Sequence, residues 1–71
     1  RKGKMKKEIF DFFNKNFEKL GYRERKVLLA SFEEIRIEES KVPGVFELTS
    51  PYGSFEFAWN LEGYERGTIL G

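Results

Sequence analysis

The segment that decides the fold is residues 46–59, which read FELTSPYGSFEFAW. Large apolar side chains alternate with polar or small ones on both sides of the tetrad Ser-Pro-Tyr-Gly, a pattern typical of two β-strands joined by a turn. We place Phe46 opposite Phe57 in this hairpin. The same register sets Leu48 opposite Phe55, so the large apolar side chains share one face. The alternation therefore predicts an antiparallel hairpin with one apolar and one polar face.

The period of two extends upstream to Ile35 and Ile37, which a turn-forming stretch at residues 40–44 separates from the hairpin. Setting Ile37 opposite Phe46 continues the apolar face onto a third strand. Residues 68–70 add a short last strand. The register also predicts a row of three charged side chains across the polar face: Arg36, Glu47 and Glu56.

Residues 4–20 predict an amphipathic helix, because their apolar side chains recur at steps of three and four residues. Together these side chains cover about 160° of the helix circumference, whereas one buried face needs a stripe of about 100°. Gly21 is placed to end the helix in a left-handed conformation, and Asn16, inside the apolar arc, needs a hydrogen-bond partner. The apolar positions are Met5, Ile9, Phe10, Phe12, Phe13, Phe17 and Leu20.

Residues 22–33 allow two interpretations. The apolar run at residues 27–30, bounded by charges, is typical of a strand that is buried on both sides. The surrounding Arg, Glu, Lys and Leu residues instead favour a second helix, although no Ser, Thr, Asp or Asn caps its start. We favour the strand and keep the helix as the alternative.

These elements predict an α+β fold, in which one N-terminal amphipathic helix packs on an antiparallel β-meander of three to four strands. The 71 residues suffice for a single small domain, residues 1–71, and no internal repeat or linker divides them. Phe55 and Phe57 are expected in the core beneath the helix, whereas Tyr52 at the turn is expected at the surface.

The composition excludes several kinds of chemistry. A chain without histidine and cysteine has no Ser-His-Asp triad, no thiolate nucleophile, no disulfide and no imidazole or thiolate ligand for a metal. Asp11 is the only aspartate, and the sequence holds no glycine-rich phosphate loop. We therefore expect no catalytic residues, no metal site, no cofactor and no small-molecule substrate, and we predict that the protein is not an enzyme.

The formal net charge is only +1, but the charge is unevenly distributed. Residues 1–7 carry five basic side chains and no acidic one, which leaves eight basic residues against twelve acidic ones in the rest of the chain. A flexible basic arm of this kind neutralises phosphates, so a small nucleic-acid-binding accessory domain is one interpretation. Its candidate contacts are Arg1, Lys2, Lys4, Lys6, Lys7 and Tyr52.

The favoured interpretation is a protein-protein interaction or self-assembly module. The apolar arc of the helix is wider than one small sheet can cover, and surplus apolar surface is typical of partner sites. The expected partner is a protein, for which a second copy of the chain is a candidate because so small a domain gains stability from shared burial. The candidate contact residues are Phe10, Phe13 and Phe17.

Three expectations concern the setting of the protein. No segment approaches the roughly 20 apolar residues that cross a bilayer, so we expect no membrane contact. Glu8 interrupts the basic N-terminus before any apolar signal region, which favours a cytoplasmic location. Eleven glutamates and eight lysines, without glutamine or cysteine, are typical of a thermophile.

Overall fold

The computed structural model describes the backbone of residues 2–71 and the side chains of residues 4–71. Helical elements come from the first half of the chain and the sheet from the second half. Short 3-10 turns at Phe17–Lys19 and Phe32–Glu34 lie between the helices and before the sheet. The regular elements are α1 (Lys2–Lys15), α2 (Tyr22–Val27), β1 (Arg36–Glu39), β2 (Val45–Ser50), β3 (Gly53–Ala58) and β4 (Thr68–Ile69).

The strands form one antiparallel sheet in the order β1-β2-β3-β4, and α1 packs on one face of it. The contact centres on Phe13 of α1, whose ring lies 5.4 Å from that of Phe55 and 5.0 Å from that of Phe57, edge-on to both. Phe55 and Phe57 are buried and Tyr52 is exposed, as the sequence predicts. The predicted α+β fold of a helix on an antiparallel meander is confirmed.

The register of the β2–β3 hairpin is also confirmed. Phe46 pairs with Phe57, and Leu48 pairs with Phe55. A slip of one residue would turn these buried side chains toward solvent, so the burial of the apolar face holds the register.

The register between β1 and β2 differs from the prediction by two residues. Ile37 pairs with Leu48 instead of Phe46. The turn between the strands decides the difference, because the N–H of Ser40 donates to the carbonyl of Val45 at 2.8 Å and closes the turn there. A shift of two residues keeps Ile37 on the apolar face, so the hydrophobic pattern alone does not distinguish the two registers.

This shift changes the charged row on the outer face of the sheet. Glu38, not Arg36, lies opposite Glu47. Glu47 in turn lies opposite Glu56, as predicted. Arg36 lies one row away and approaches Glu38 on its own strand, with 3.5 Å between Nη2 and Oε2. We call Glu38, Glu47 and Glu56 the acidic row.

Helix α1 ends at Lys15, five residues before the predicted end. The side-chain amide of Asn16 donates to the carbonyl of Phe12 at 2.8 Å, the same oxygen to which its backbone N–H donates at 3.1 Å. This local bond gives the predicted polar partner of Asn16 and competes with continuation of the helix. The prediction of a left-handed Gly21 is wrong: its φ is −75°, and it precedes α2.

The strand predicted over residues 22–33 is wrong, and the alternative of a second helix is closer to the structure. The segment forms α2 and the 3-10 turn that ends at Glu34. The strand interpretation required residues 27–30 to be buried on both sides, but Leu29 is 71% exposed. The apolar residues of the segment are therefore buried on one side only. The charged residues at its start are good helix formers, and they favour the helix.

Most of the segment predicted as a flexible arm, residues 1–7, lies in α1, which begins at Lys2. The ammonium of Lys6 lies 4.3 Å from the centre of the Phe32 ring, a cation–π contact that fixes this turn of the helix against the domain. Lysine is a good helix former, which offsets the unfavourable position of these charges at the helix start. Arg1 and the side chain of Lys2 lie outside the described residues.

Candidate functional site

A groove of about 690 Å³ runs between the first turns of α1 and strand β1. Its apolar lining consists of Met5, Ile35, Ile37 and Phe46. Its charged lining consists of Lys6, Arg36, Glu38 and Glu39. We call this cavity the β1 groove. The β1 groove therefore combines apolar surface with charges of both signs.

Strand β1 is an edge strand, so only one of its sides pairs with a neighbour. Ser40, which continues the strand, donates its N–H toward β2. Successive residues of a strand direct their backbone groups to opposite sides, so Glu38 also faces β2, whereas Ile37 and Glu39 face away from the sheet. Within residues 2–71 no strand covers that side. Unpaired N–H and C=O groups on an edge are a template for another strand.

Helix α1 forms the opposite wall of the groove. Met5 is half-buried and packs against the core, as does Ile37 on the strand side. Beside Met5, the Lys6 side chain lies over the ring of Phe32 in the 3-10 turn that leads into β1. Both walls of the groove are therefore packed against the same core.

The contact residues predicted on α1 are mostly used inside the domain. Phe13 is fully buried against β3 and does not reach the surface, so its predicted role in partner contact is wrong. Phe10 and Phe17 are half-buried and pack against the core. The ring of Phe10 meets that of Phe32 edge-on at 5.2 Å. Much of the wide apolar arc of α1 is thus buried against other residues of the same chain.

Two of the predicted nucleic-acid contacts that the structure describes, Lys4 and Tyr52, lie far apart. Lys4 lines a small cavity with Asn60, beyond the end of β3, whereas Tyr52 precedes the start of β3. Because β3 has six residues, about 20 Å separates its two ends. Lys7 pairs with Asp11 one helical turn away, with 3.2 Å between Nζ and Oδ2. Nucleic-acid binding stays a prediction.

The polar side chains serve local structure. Glu34 accepts the backbone N–H of Ser31 at 3.1 Å, and Ser50 accepts the N–H of Tyr52 at 3.1 Å, so these serines stabilise turns. In the part of the chain that the structure describes, no group of three or more acidic side chains is placed to hold a metal ion. The β1 groove offers apolar surface, backbone hydrogen-bonding groups and charge, which suit the binding of an extended segment.

Comparison with known proteins gives no indication of the function of this chain. No protein-family model, no curated protein and no solved structure matches the chain. Over residues 2–71, none of the helices has the length and apolar character needed to cross a bilayer. A functional proposal for this chain therefore rests on its residues and their arrangement.

The sequence did not predict the β1 groove. The signal present was the Arg-Ile-Glu stretch at residues 36–38, a short strand in which an isoleucine is flanked by charges of opposite sign. This stretch indicates a binding edge only if β1 lies at the edge of the sheet, and the position of β1 in the sheet depends on the path of the whole chain.

Proposed function

We propose that this protein is a non-enzymatic protein-protein interaction or self-assembly module, which binds an extended segment of its partner in the β1 groove. The observation that carries the proposal is the coincidence of an unpaired strand edge with an open, largely apolar groove beside it. A segment that adds to β1 gains backbone hydrogen bonds from the edge and buries every second side chain in the groove.

The charge of the groove favours a protein segment over nucleic acid. Its charged lining comprises two basic and two acidic side chains, so it offers little net attraction to phosphate. Its apolar lining, with Met5 on one wall and Ile37 on the other, suits aliphatic side chains.

This proposal keeps the class of function that the sequence predicts but changes the part of α1 that is involved. Met5 and Lys6 in the first turns line the groove, whereas Phe10 and Phe17 pack toward the core. A cytoplasmic location belongs to the same proposal, because a domain without cysteine has no disulfide to gain in an oxidising compartment.

Photocrosslinking at Met5 tests the proposal. Met5 is the only methionine of the sequence and lines the groove, so photo-methionine places one nearly isosteric photoreactive group at the proposed site. The labelled protein is irradiated in an extract of its source cells, and the crosslinked peptides are mapped by mass spectrometry. We expect crosslinks that join Met5 to an extended segment of one protein, either a second copy or another chain.

Two matched variants show whether the crosslink depends on the groove. Ile37→Lys places a charge in its apolar lining and should lower the crosslink yield by about tenfold. Glu56→Lys makes a comparable change on the exposed outer face of β3 and should leave the yield unchanged. Equal yields from both variants, with circular dichroism showing that both are folded, would contradict the proposal, and so would the absence of any crosslink.

A further inference from the structure

We infer that the extended segment is strand β1 of a second copy of this chain, paired antiparallel with Ile37 opposite Ile37 across a two-fold axis. The inference rests on the proposed function, because it names the occupant of the β1 groove. The two sheets then join into one continuous antiparallel sheet, and both α1 helices lie on the same face of it.

Side-chain faces restrict the registers in which β1 can pair with itself. Residues directly opposite each other in an antiparallel sheet point to the same face. The apolar faces of both copies therefore coincide only when odd-numbered residues lie opposite odd-numbered ones. For a strand of four residues, four such registers are available, centred on Arg36, Ile37, Glu38 or Glu39.

Charge selects one of these four registers. A centre at Arg36 sets two arginines opposite each other, and a centre at Glu38 or at Glu39 sets two glutamates opposite each other, which destabilises these arrangements. A centre at Ile37 sets Arg36 of each copy opposite Glu38 of the other, and this pair occurs twice. The edge of β1 is thus self-complementary in the Ile37 register alone.

The free backbone groups suit the same register. Because the N–H of Ser40 points to β2, Ile37 directs its N–H and C=O away from β2 and toward the second copy. Two copies therefore exchange a pair of hydrogen bonds at the axis. Arg36 and Glu38 then occupy the positions without mutual backbone hydrogen bonds, at which opposite side chains approach most closely.

The acidic row supplies a further reason for the second copy. Glu38 ends this row at the edge of the sheet, directly opposite Glu47. Within one copy Arg36 offsets the repulsion from a position along the same strand, at 3.5 Å from Glu38. The Arg36 of the second copy adds a cation on the free side of Glu38, so the row ends between two guanidinium groups.

Charge reversal at the edge tests the register. Arg36→Glu leaves glutamates at both positions 36 and 38, and Glu38→Arg leaves arginines at both, so each should weaken self-association by about tenfold or more in sedimentation equilibrium. The double variant R36E/E38R restores both complementary pairs and should return the dissociation constant to within about threefold of the wild-type value. An equimolar mixture of the two single variants should form heterodimers, because the two glutamates of one variant then face the two arginines of the other.

Two controls separate the edge from other surfaces. Glu56→Arg reverses a charge of the acidic row on β3, away from the edge, and should leave the dissociation constant within about threefold of wild type. Hydrogen exchange reports the backbone directly: protection of the Ile37 amide should rise with protein concentration, whereas that of the Glu38 amide, which already faces β2, should stay constant.

A chain that sediments as a monomer at about 0.5 mM, or a double variant that fails to recover association, would overturn the inference. So would protection of the Ile37 amide that is independent of concentration. A Met5 crosslink to a different protein, from a chain that is itself monomeric, would overturn the inference and still support the proposed function. The absence of any groove-dependent crosslink would contradict both the inference and the proposed function.

Discussion

Phe57 is completely buried where the helix meets the sheet. Its ring lies 5.0 Å from that of Phe13 on α1 and 6.0 Å from that of Phe46 on β2. Phe57→Ala removes aromatic contacts from both layers and leaves a cavity, so we expect it to lower the free energy of unfolding by about 3–5 kcal/mol. Urea denaturation followed by circular dichroism measures the loss.

The matched control for this change is Glu56→Ala, one residue away on the outer face of β3. Glu56 is exposed, so its truncation should change the free energy of unfolding by less than about 0.5 kcal/mol. Comparable losses at both positions would contradict the alternation of faces along β3.

Gly44 and Gly63 share a left-handed backbone, with φ at +90° in each. A Cβ atom at Gly44 would lie 2.9 Å from backbone atoms of Asn60, whereas at Gly63 it would meet nothing within 4 Å. Gly63→Ala should therefore lower the free energy of unfolding by about 1 kcal/mol, because alanine is strained in the left-handed conformation. Gly44→Ala should lower it by about 1–3 kcal/mol more, because its Cβ also clashes with the backbone. The urea midpoints of the two variants measure the difference. Equal midpoints would show that the backbone at Asn60 moves away from the new Cβ atom without loss of stability.

At the scale of elements, the sequence predicted the β2–β3 hairpin completely and the β1–β2 pairing only in part. The hairpin was predictable because the strands meet at a turn too short to allow another register that keeps Leu48 and Phe55 buried. The longer turn at residues 40–44 allows two registers with identical faces, and the Ser40–Val45 hydrogen bond chooses between them. That choice depends on backbone geometry, which a pattern of apolar residues does not record.

The segment that contains helix α2 is a second case in which the pattern of apolar residues does not predict the structure. Four apolar residues in succession are typical of a buried strand, yet Leu29 in that run is largely exposed. The helical propensity of the preceding residues and the burial of Val27 and Leu28 against the core outweigh the run. Short apolar runs are ambiguous for this reason, because their length suits one turn of helix as well as a strand.

The acidic row yields a prediction for the sheet as an element. Glu47 on β2 lies opposite Glu38 on one side and Glu56 on the other. Glu47→Lys converts two repulsive pairs into attractive ones, so it should raise the free energy of unfolding by about 1 kcal/mol at low salt and by less at high salt. Glu62→Lys, an equal charge change outside the sheet, is the control. A rise of the same size in both variants would assign the effect to net charge.

The β1 groove belongs to the scale of the whole molecule. It exists because α1 begins early enough to bring Met5 beside β1 and because β1 ends the sheet. The sequence predicted the helix and the strand but did not predict the groove, and it named Phe10, Phe13 and Phe17 as contact residues. A helical arc shows how much apolar surface exists and not what covers it. Phe32, in the 3-10 turn, supplies part of that cover.

Stability should respond little to pH near neutrality. The chain has no histidine and no cysteine, the side chains whose ordinary pKa lies closest to that range. Folded and unfolded chains should therefore bind nearly the same number of protons between about pH 5.5 and 7, and the free energy of unfolding should be almost constant there. Thermal melts across this range measure it. A step in stability near pH 6.5 would contradict this expectation.

Salt should control the proposed association more strongly than pH does. The pairs between copies join an arginine to a glutamate, whose ordinary pKa values lie far from neutrality, so the dissociation constant should be flat between about pH 5.5 and 7. Raising the ionic strength from about 0.05 to 0.5 M screens these exposed pairs and should weaken association several-fold, whereas apolar contacts at Ile37 are not weakened by screening. Sedimentation equilibrium at both salt concentrations measures the change, with R36E/E38R as a control that should show the same dependence. Association that is indifferent to salt would mean that the apolar groove, and not the charges of Arg36 and Glu38, sets the affinity.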